Sequence, residues 1–192
     1  MIRVAITNPE PVDSEALLIR LVLNAGWDYV HIRHPHSSSS EVRKIIEGIP
    51  QSLHCRLRIH GHFELINEFN LGGIHLNNRC PNSPRLYTGL ISKSCHSVSE
   101  VIAAAQCDYV FLSPIFSSIS KPGYGGNSFS PDELSKINNY NTPSVIALGG
   151  ITPQTARLLD YGIFDGYAVL GSLLGNCETE EELTRKIESF DN

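Results

Sequence analysis

The sequence predicts an α/β fold: a single compact (β/α)8 TIM barrel with short loops over residues 1–192. Three observations carry this. Short runs rich in Val, Ile and Leu recur eight times and alternate with segments of helical period, the pattern of parallel strands joined by crossover helices. The first run leads into Thr7-Asn8-Pro9-Glu10-Pro11, which has none of the glycines that open a dinucleotide-binding doubly wound sheet. Glycines gather instead after the last two strand-like runs, where barrels hold phosphate. At 192 residues the chain is shorter than the roughly 250 that barrels commonly use, so the loops have to be short.

In chain order, strands are predicted at 2–7, 29–33, 56–60, 73–76, 90–94, 109–112, 144–148 and 166–170, with helices at 14–24, 39–49, 62–69, 97–105, 130–138, 152–161 and 179–190. Several helices carry start signals. Ser97 with Glu100 and Thr179 with Glu182 have capping-box spacing, and Ser130-Pro131 and Thr152-Pro153 place proline at the first helical position. Between the fourth and fifth strands, residues 77–89 hold Pro81 and Pro84 and read as loop in place of a helix. Residues 113–129, rich in Ser and Gly, form the longest loop; in a barrel such βα loops build the active face.

Hydrophobic residues at 41% against charged residues at 18% mark an ordered globular chain. A net charge of −5 without a Lys/Arg-rich run gives no footprint for nucleic acid or an anionic membrane. The first residues lack a signal-peptide layout, and no apolar run approaches the roughly 20 residues that span a bilayer. A cytoplasmic protein is therefore the expectation. Cys55, Cys80, Cys95, Cys107 and Cys177 include no CxxC pair, which suggests neither a disulfide framework nor a zinc site, and most are expected as buried thiols.

The candidate chemistry lies at the strand ends. Gly149 and Gly150 close the seventh strand, and Leu170, Gly171 and Ser172 close the eighth. Glycine lets an anion approach the backbone, and exposed N–H groups at helix starts supply donors, so these residues are expected to form a phosphate cup. Ser118, Ser120 and Lys121 of the long loop add hydroxyl donors and a point charge. On the second strand His31 and Arg33 alternate with Ile32 and point to one side; there Arg33 can engage a phosphate or carboxylate with both arms. His60 and His62 share that spacing after the third strand, with His34 and His36 nearby, but no carboxylate accompanies them and no metal-ligand set is assigned. Ser94 could bond a ligand, and His96 could cap a helix or orient a loop.

These stretches line up with a family. Ser94-Cys95-His96-Ser97, Asp108-Tyr109-Val110, Ser113-Pro114-Ile115-Phe116 and Ser120-Lys121 match its motifs in order and spacing. So do Gly73-Ile74-His75-Leu76 and Ala147-Leu148-Gly149-Gly150-Ile151. Over nearly its whole length the chain resembles the thiamine phosphate synthase/TenI family. Synthases of that family join a hydroxymethylpyrimidine diphosphate to a thiazole phosphate and release pyrophosphate. The resemblance implies that Ser118, Ser120, Gly149, Gly150, Gly171 and Ser172 hold the thiazole phosphate, and that Arg33, Ser94 and Lys121, with His31, face the pyrimidine diphosphate.

Departures from the family pattern are as informative. The second strand reads His31-Ile32-Arg33-His34-Pro35 where the family has Q-[LI]-R-E-K. Gly61 and Cys80 stand where the family has its two magnesium-binding aspartates. TenI-like members carry an active-site histidine where this chain has Pro114. The resemblance thus implies a protein that binds a thiazole phosphate or thiamine phosphate, with TenI-like or divergent chemistry and His60 or His62 as acid/base groups near neutral pH. An active synthase, with magnesium held by substrate phosphates alone, is one alternative. A non-catalytic, ligand-binding regulatory barrel is the other. The expected partner is a small phosphorylated thiamine precursor or product; a homo-oligomer is left open.

Overall fold

The computed structural model describes residues 1–116, 129–175, 177 and 179–191. Eight strands, β1 (Ile2–Ile6), β2 (Tyr29–Ile32), β3 (Leu57–Ile59), β4 (Gly73–Leu76), β5 (Leu90–Cys95), β6 (Tyr109–Leu112), β7 (Ser144–Leu148) and β8 (Gly166–Val169), pair in parallel in sequence order. The last closes on the first through Ile2↔Gly166 to Ala5↔Val169. This is the predicted (β/α)8 barrel, with each strand end within one residue of its sequence-based position.

Around it run α1 (Glu15–Asn24), α2 (Ser39–Glu47), α3 (Leu65–Phe69), α4 (Val98–Ala103), α5 (Pro131–Ser135), α6 (Pro153–Ala156) and α7 (Glu180–Asp191). The start signals act as expected. Ser97 accepts the Glu100 N–H, Ser130 the Glu133 N–H and Thr152 the Thr155 N–H, each satisfying a first-turn donor. Most helices are shorter than their sequence patterns, α6 most of all. The chain takes left-handed backbone at His62 and at Asn70, which confines α3 to five residues between them. α6 stops after one turn, where the Tyr161 hydroxyl caps the Ala156 carbonyl at 2.9 Å. α5 tightens into a 3-10 turn, Lys136–Asn139. A second 3-10 segment, Gln51–Arg56, was not anticipated. No helix links β4 to β5, as Pro81 and Pro84 foretold.

Two apolar layers hold the fold. The larger lies between barrel and helices and includes Trp27, Ile19, Leu23, Ile46 and Leu57, each 1% exposed or less. Burying side chains of this size contributes about 1.5–3 kcal/mol apiece. Trp27 meets Tyr167 and Phe190 edge-on at 6.0 and 5.5 Å, docking α7 on the barrel. The smaller layer is the barrel interior. Its apolar part comes from one side: Val4 and Ile6 of β1, Tyr109 and Phe111 of β6, Ile146 of β7 and Ala168 of β8. The other side, β2 to β5, contributes His31, Arg58, His75 and Ser92, all 1% exposed or less. Barrel interiors are usually filled by branched aliphatics, so this polar half needs internal partners. Three cysteines are buried as expected, whereas Cys55 is exposed and Cys80 only partly covered.

Candidate functional site

The polar half of the barrel is a hydrogen-bonded network that ends at the C-terminal mouth. On β5, the Ser92 hydroxyl donates to the Ile74 carbonyl at 3.2 Å. Its single proton spent, Ser92 can only accept from His75 Nδ1 at 2.9 Å. Burial lowers the His75 pKa to about 3 and so keeps the ring neutral, and His75 Nε2 then accepts from the Ser94 hydroxyl at 2.8 Å. Beside it, His31 joins Tyr109 Oη through Nε2 at 2.6 Å and His60 Nε2 through Nδ1 at 2.9 Å. Burial holds His31 and His60 well below the ordinary histidine value, with neighbouring His75 adding to the shift. Under this network Arg58, 1% exposed, lies 4.2 Å from the centre of the Tyr29 ring and donates to the Cys55 and Leu57 carbonyls.

Nitrogens of His31, His60 and His75 lie within 4.8 Å of one another, close enough to raise a metal site. The ring planes argue otherwise. A ring nitrogen's lone pair lies in its ring plane, and His60 and His75 are stacked, with centroids 4.1 Å and planes 20° apart. Their lone pairs do not converge on one point, as tetrahedral zinc would require.

Above the network, the ends of β2, β3 and β4 enclose a cleft of about 240 Å³ lined in part by Arg33, His60, Gly61, His62, Arg79 and Cys80. His31 and Arg33 share a side, as alternation requires, but only Arg33 reaches the cleft; His31 is covered. The expectation that His60 titrates near neutral pH is not met, because burial keeps its ring neutral. His62 is held at the rim, bonded through Nε2 to the Ser37 carbonyl at 2.9 Å, with Nδ1 3.6 Å from Glu64. Gly61 and Cys80 are neighbours: a Cβ built on Gly61 would lie 3.8 Å from Cys80 Sγ. Magnesium takes oxygen ligands, and no Asp or Glu lines this cleft among the described residues. This donor set does not fit that ion.

Across the barrel, β7 and β8 end in the glycine turns. Gly149 and Gly150 take φ of 94° and 65°, a conformation that side chains resist; a Cβ on Gly149 would also sit 2.9 Å from Pro114. Among the described residues no acceptor is found for the N–H groups of Gly149, Gly150, Gly171 and Ser172. The Ser172 hydroxyl donates to the Ile151 carbonyl at 2.6 Å, binding the two turns together. Gly171 faces open space, with nothing within 4 Å of a Cβ built there. Leu170 contributes its carbonyl to Leu174 and Gly175, while its side chain packs on the interior layer. α6 is a single turn, so the expected helix dipole adds little beyond these amides. Ile115 and Phe116 donate to Leu148 and Gly149, stitching the start of the long loop to the glycine turns. His96 orients the base of that loop through the Ser113 carbonyl at 3.1 Å. Ser118, Ser120 and Lys121 lie outside the described residues.

Sequence reading did not single out His75 as a site residue, nor Arg79 and Asn77. A histidine near the end of each of three successive strands, at positions 31, 60 and 75, was the available signal for a polar interior.

Fold and mouth together define a (β/α)8 barrel whose histidine network, arginine-lined cleft and glycine turns gather toward the C-terminal ends of its strands. Residues 3–173 match the family model described as thiamine monophosphate synthase, and the chain belongs to that family. A thiamine-phosphate synthase of Clostridium tetani is 27% identical over 172 residues, 83% of this chain and 81% of its own. Another, from Saccharophagus degradans, is 26% identical over 176 residues, covering 84% and 79%. The solved structure of a thiamine phosphate pyrophosphorylase from Bacteroides thetaiotaomicron superposes with a TM-score of 0.87 at 31% identity, covering 100% of this chain and 96% of that one.

Proposed function

We propose that this protein binds a thiazole phosphate or thiamine phosphate at the barrel mouth, with the phosphate seated on the glycine turns after β7 and β8. One observation carries the reading. Four N–H groups, of Gly149, Gly150, Gly171 and Ser172, lack acceptors among the described residues beside the open space at Gly171. Backbone donors left unpaired are costly, and successive amides in positive-φ turns form anion-binding nests. Phosphate oxygens would satisfy them. The chemistry is then TenI-like or divergent: His75 and His60 stay neutral and act by hydrogen bonding and shape, and His62 braces the rim.

Calorimetric titration with thiazole phosphate and thiamine phosphate tests this, using Gly171→Asp as the discriminating variant. Position 171 has room for a side chain, so the aspartate should leave the melting temperature unchanged while its charge weakens binding about tenfold or more. Undiminished affinity would remove the cup.

A second reading, the synthase reaction itself, draws on the relatives, which are thiamine-phosphate synthases. There the carbon–oxygen bond to the diphosphate breaks with its electron pair leaving on pyrophosphate, and the thiazole nitrogen forms the new carbon–nitrogen bond. The protein's share is orientation and charge stabilisation, with Arg33 and Lys121 as the cations and Ser94 as a hydroxyl donor. Formation of thiamine phosphate at roughly 1 s⁻¹ or faster would favour this reading over the first.

A further inference from the structure

Two guanidiniums share the β2–β4 cleft with no carboxylate among its described lining residues, and neither Arg33 nor Arg79 belongs to an ion pair among those described. Surface arginines without partners are common, but these two differ in how they are held. Arg33 is half-buried, and burial followed by the nearby positive charge of Arg79 lowers its affinity for its own proton. The two cations therefore act on each other across the cleft, an arrangement that an anion would relieve. Arg79 is carried on a fixed turn. Asn77 Oδ1 accepts from the Arg79 and Cys80 N–H groups at 3.0 and 3.2 Å, and Asn77 Nδ2 donates to the His60 and His75 carbonyls at 2.9 and 3.2 Å.

We propose that Arg33 and Arg79 form a diphosphate subsite that works without a divalent cation, the second guanidinium supplying the positive charge that a metal would otherwise bring. Planar guanidiniums take phosphate oxygens two at a time, and a diphosphate offers enough oxygens for both. His60 supports the same role: it lines the cleft, and its Nδ1 carries no hydrogen bond among the described residues. An anion there selects the proton order in which Tyr109 donates to His31, His31 donates to His60, and His60 Nδ1–H points to the ligand. Neighbouring Gly61 and Cys80 leave the space beside it free of competing negative charge. This subsite rests on the reading of the mouth as a phosphate-ligand site, but lies across the barrel from the glycine turns, so the two can fail separately.

Titration of the full chain with inorganic pyrophosphate, in EDTA and again in excess magnesium, decides the matter. Wild-type protein should bind in EDTA with affinity that magnesium does not improve, and Arg79→Ala should weaken binding about tenfold or more. Arg79 is exposed, so the variant should fold; Arg79→Lys, which keeps the charge and loses the fork, should fall between the two. Pyrophosphate bound only with magnesium, or bound equally well by Arg79→Ala, overturns the proposal. If Gly171→Asp abolishes thiazole phosphate binding while Arg79→Ala leaves pyrophosphate binding intact, the glycine cup stands and the arginine pair is rejected. The converse result rejects the cup and keeps the pair.

Discussion

At the residue scale, the neutral ring of His75 contributes to stability in a pH-dependent way. Unfolded, it titrates near 6.5; in the barrel, burial lowers it to about 3. Between those values unfolding takes up a proton, so this contribution is fully present above 6.5 and lost as pH falls through the window. Each such proton changes stability by about 1.4 kcal/mol per pH unit. His31 and His60 shift the same way and steepen the decline. His75→Gln should cost stability at neutral pH yet decline less steeply, by about one proton, between roughly pH 6.5 and 4.5. Urea unfolding at several pH values measures this, and a wild-type slope in the variant would mean that His75 is charged in the native state. Sequence displayed these histidines but not their burial. His31 reads as a rim ligand until Tyr109, 78 residues away, is seen to take its other nitrogen.

At the scale of elements, the β4–β5 connection does by side-chain bonding what a crossover helix does elsewhere in the barrel. Asn77 and Cys80 exchange backbone hydrogen bonds at 3.1 and 3.0 Å, and the Asn77 amide ties this turn to the ends of β3 and β4. Asn77→Ala should therefore destabilise the protein by about 1–3 kcal/mol. It should also weaken pyrophosphate binding, because Arg79 loses its anchor. Thermal melts and the same titration check both, and an unchanged melting temperature would show that the turn holds without the amide. Prolines made the missing helix legible in sequence. The shortening of α3 and α6 was not, because the helical pattern includes His62, where left-handed backbone delays the start of α3, and runs on past Ala156, where the Tyr161 cap ends α6.

On the scale of the whole molecule, the mouth has two halves with different chemistry, guanidiniums over β2–β4 and glycine amides over β7–β8. Gly61 and Cys80, at the positions where the family resemblance implies magnesium carboxylates, belong to the first half. Because a Cβ on Gly61 would lie 3.8 Å from Cys80 Sγ, the double substitution Gly61→Asp, Cys80→Asp should place two carboxylates side by side facing that cleft. Pyrophosphate should then bind more tightly than to wild type only when magnesium is present, and less tightly without it, since bare carboxylates repel the anion. A double variant indifferent to magnesium would show that these positions do not face the diphosphate.

The sequence by itself determined the barrel. Its eight apolar runs and their spacing fix where strands can form, and glycines 149, 150 and 171 mark where the backbone carries no side chain. These are local properties, written in hydrophobic period and in the absence of a Cβ. Only tertiary structure decided which polar residues meet. The stacking of His60 on His75, the His31–Tyr109 bond, and the meeting of Arg33 and Arg79 in the lining of one cleft bring together residues from different strands and the loops that follow them. Such contacts arise when strands close into a ring, and burial, which sets the protonation of those histidines, exists only once the ring has closed.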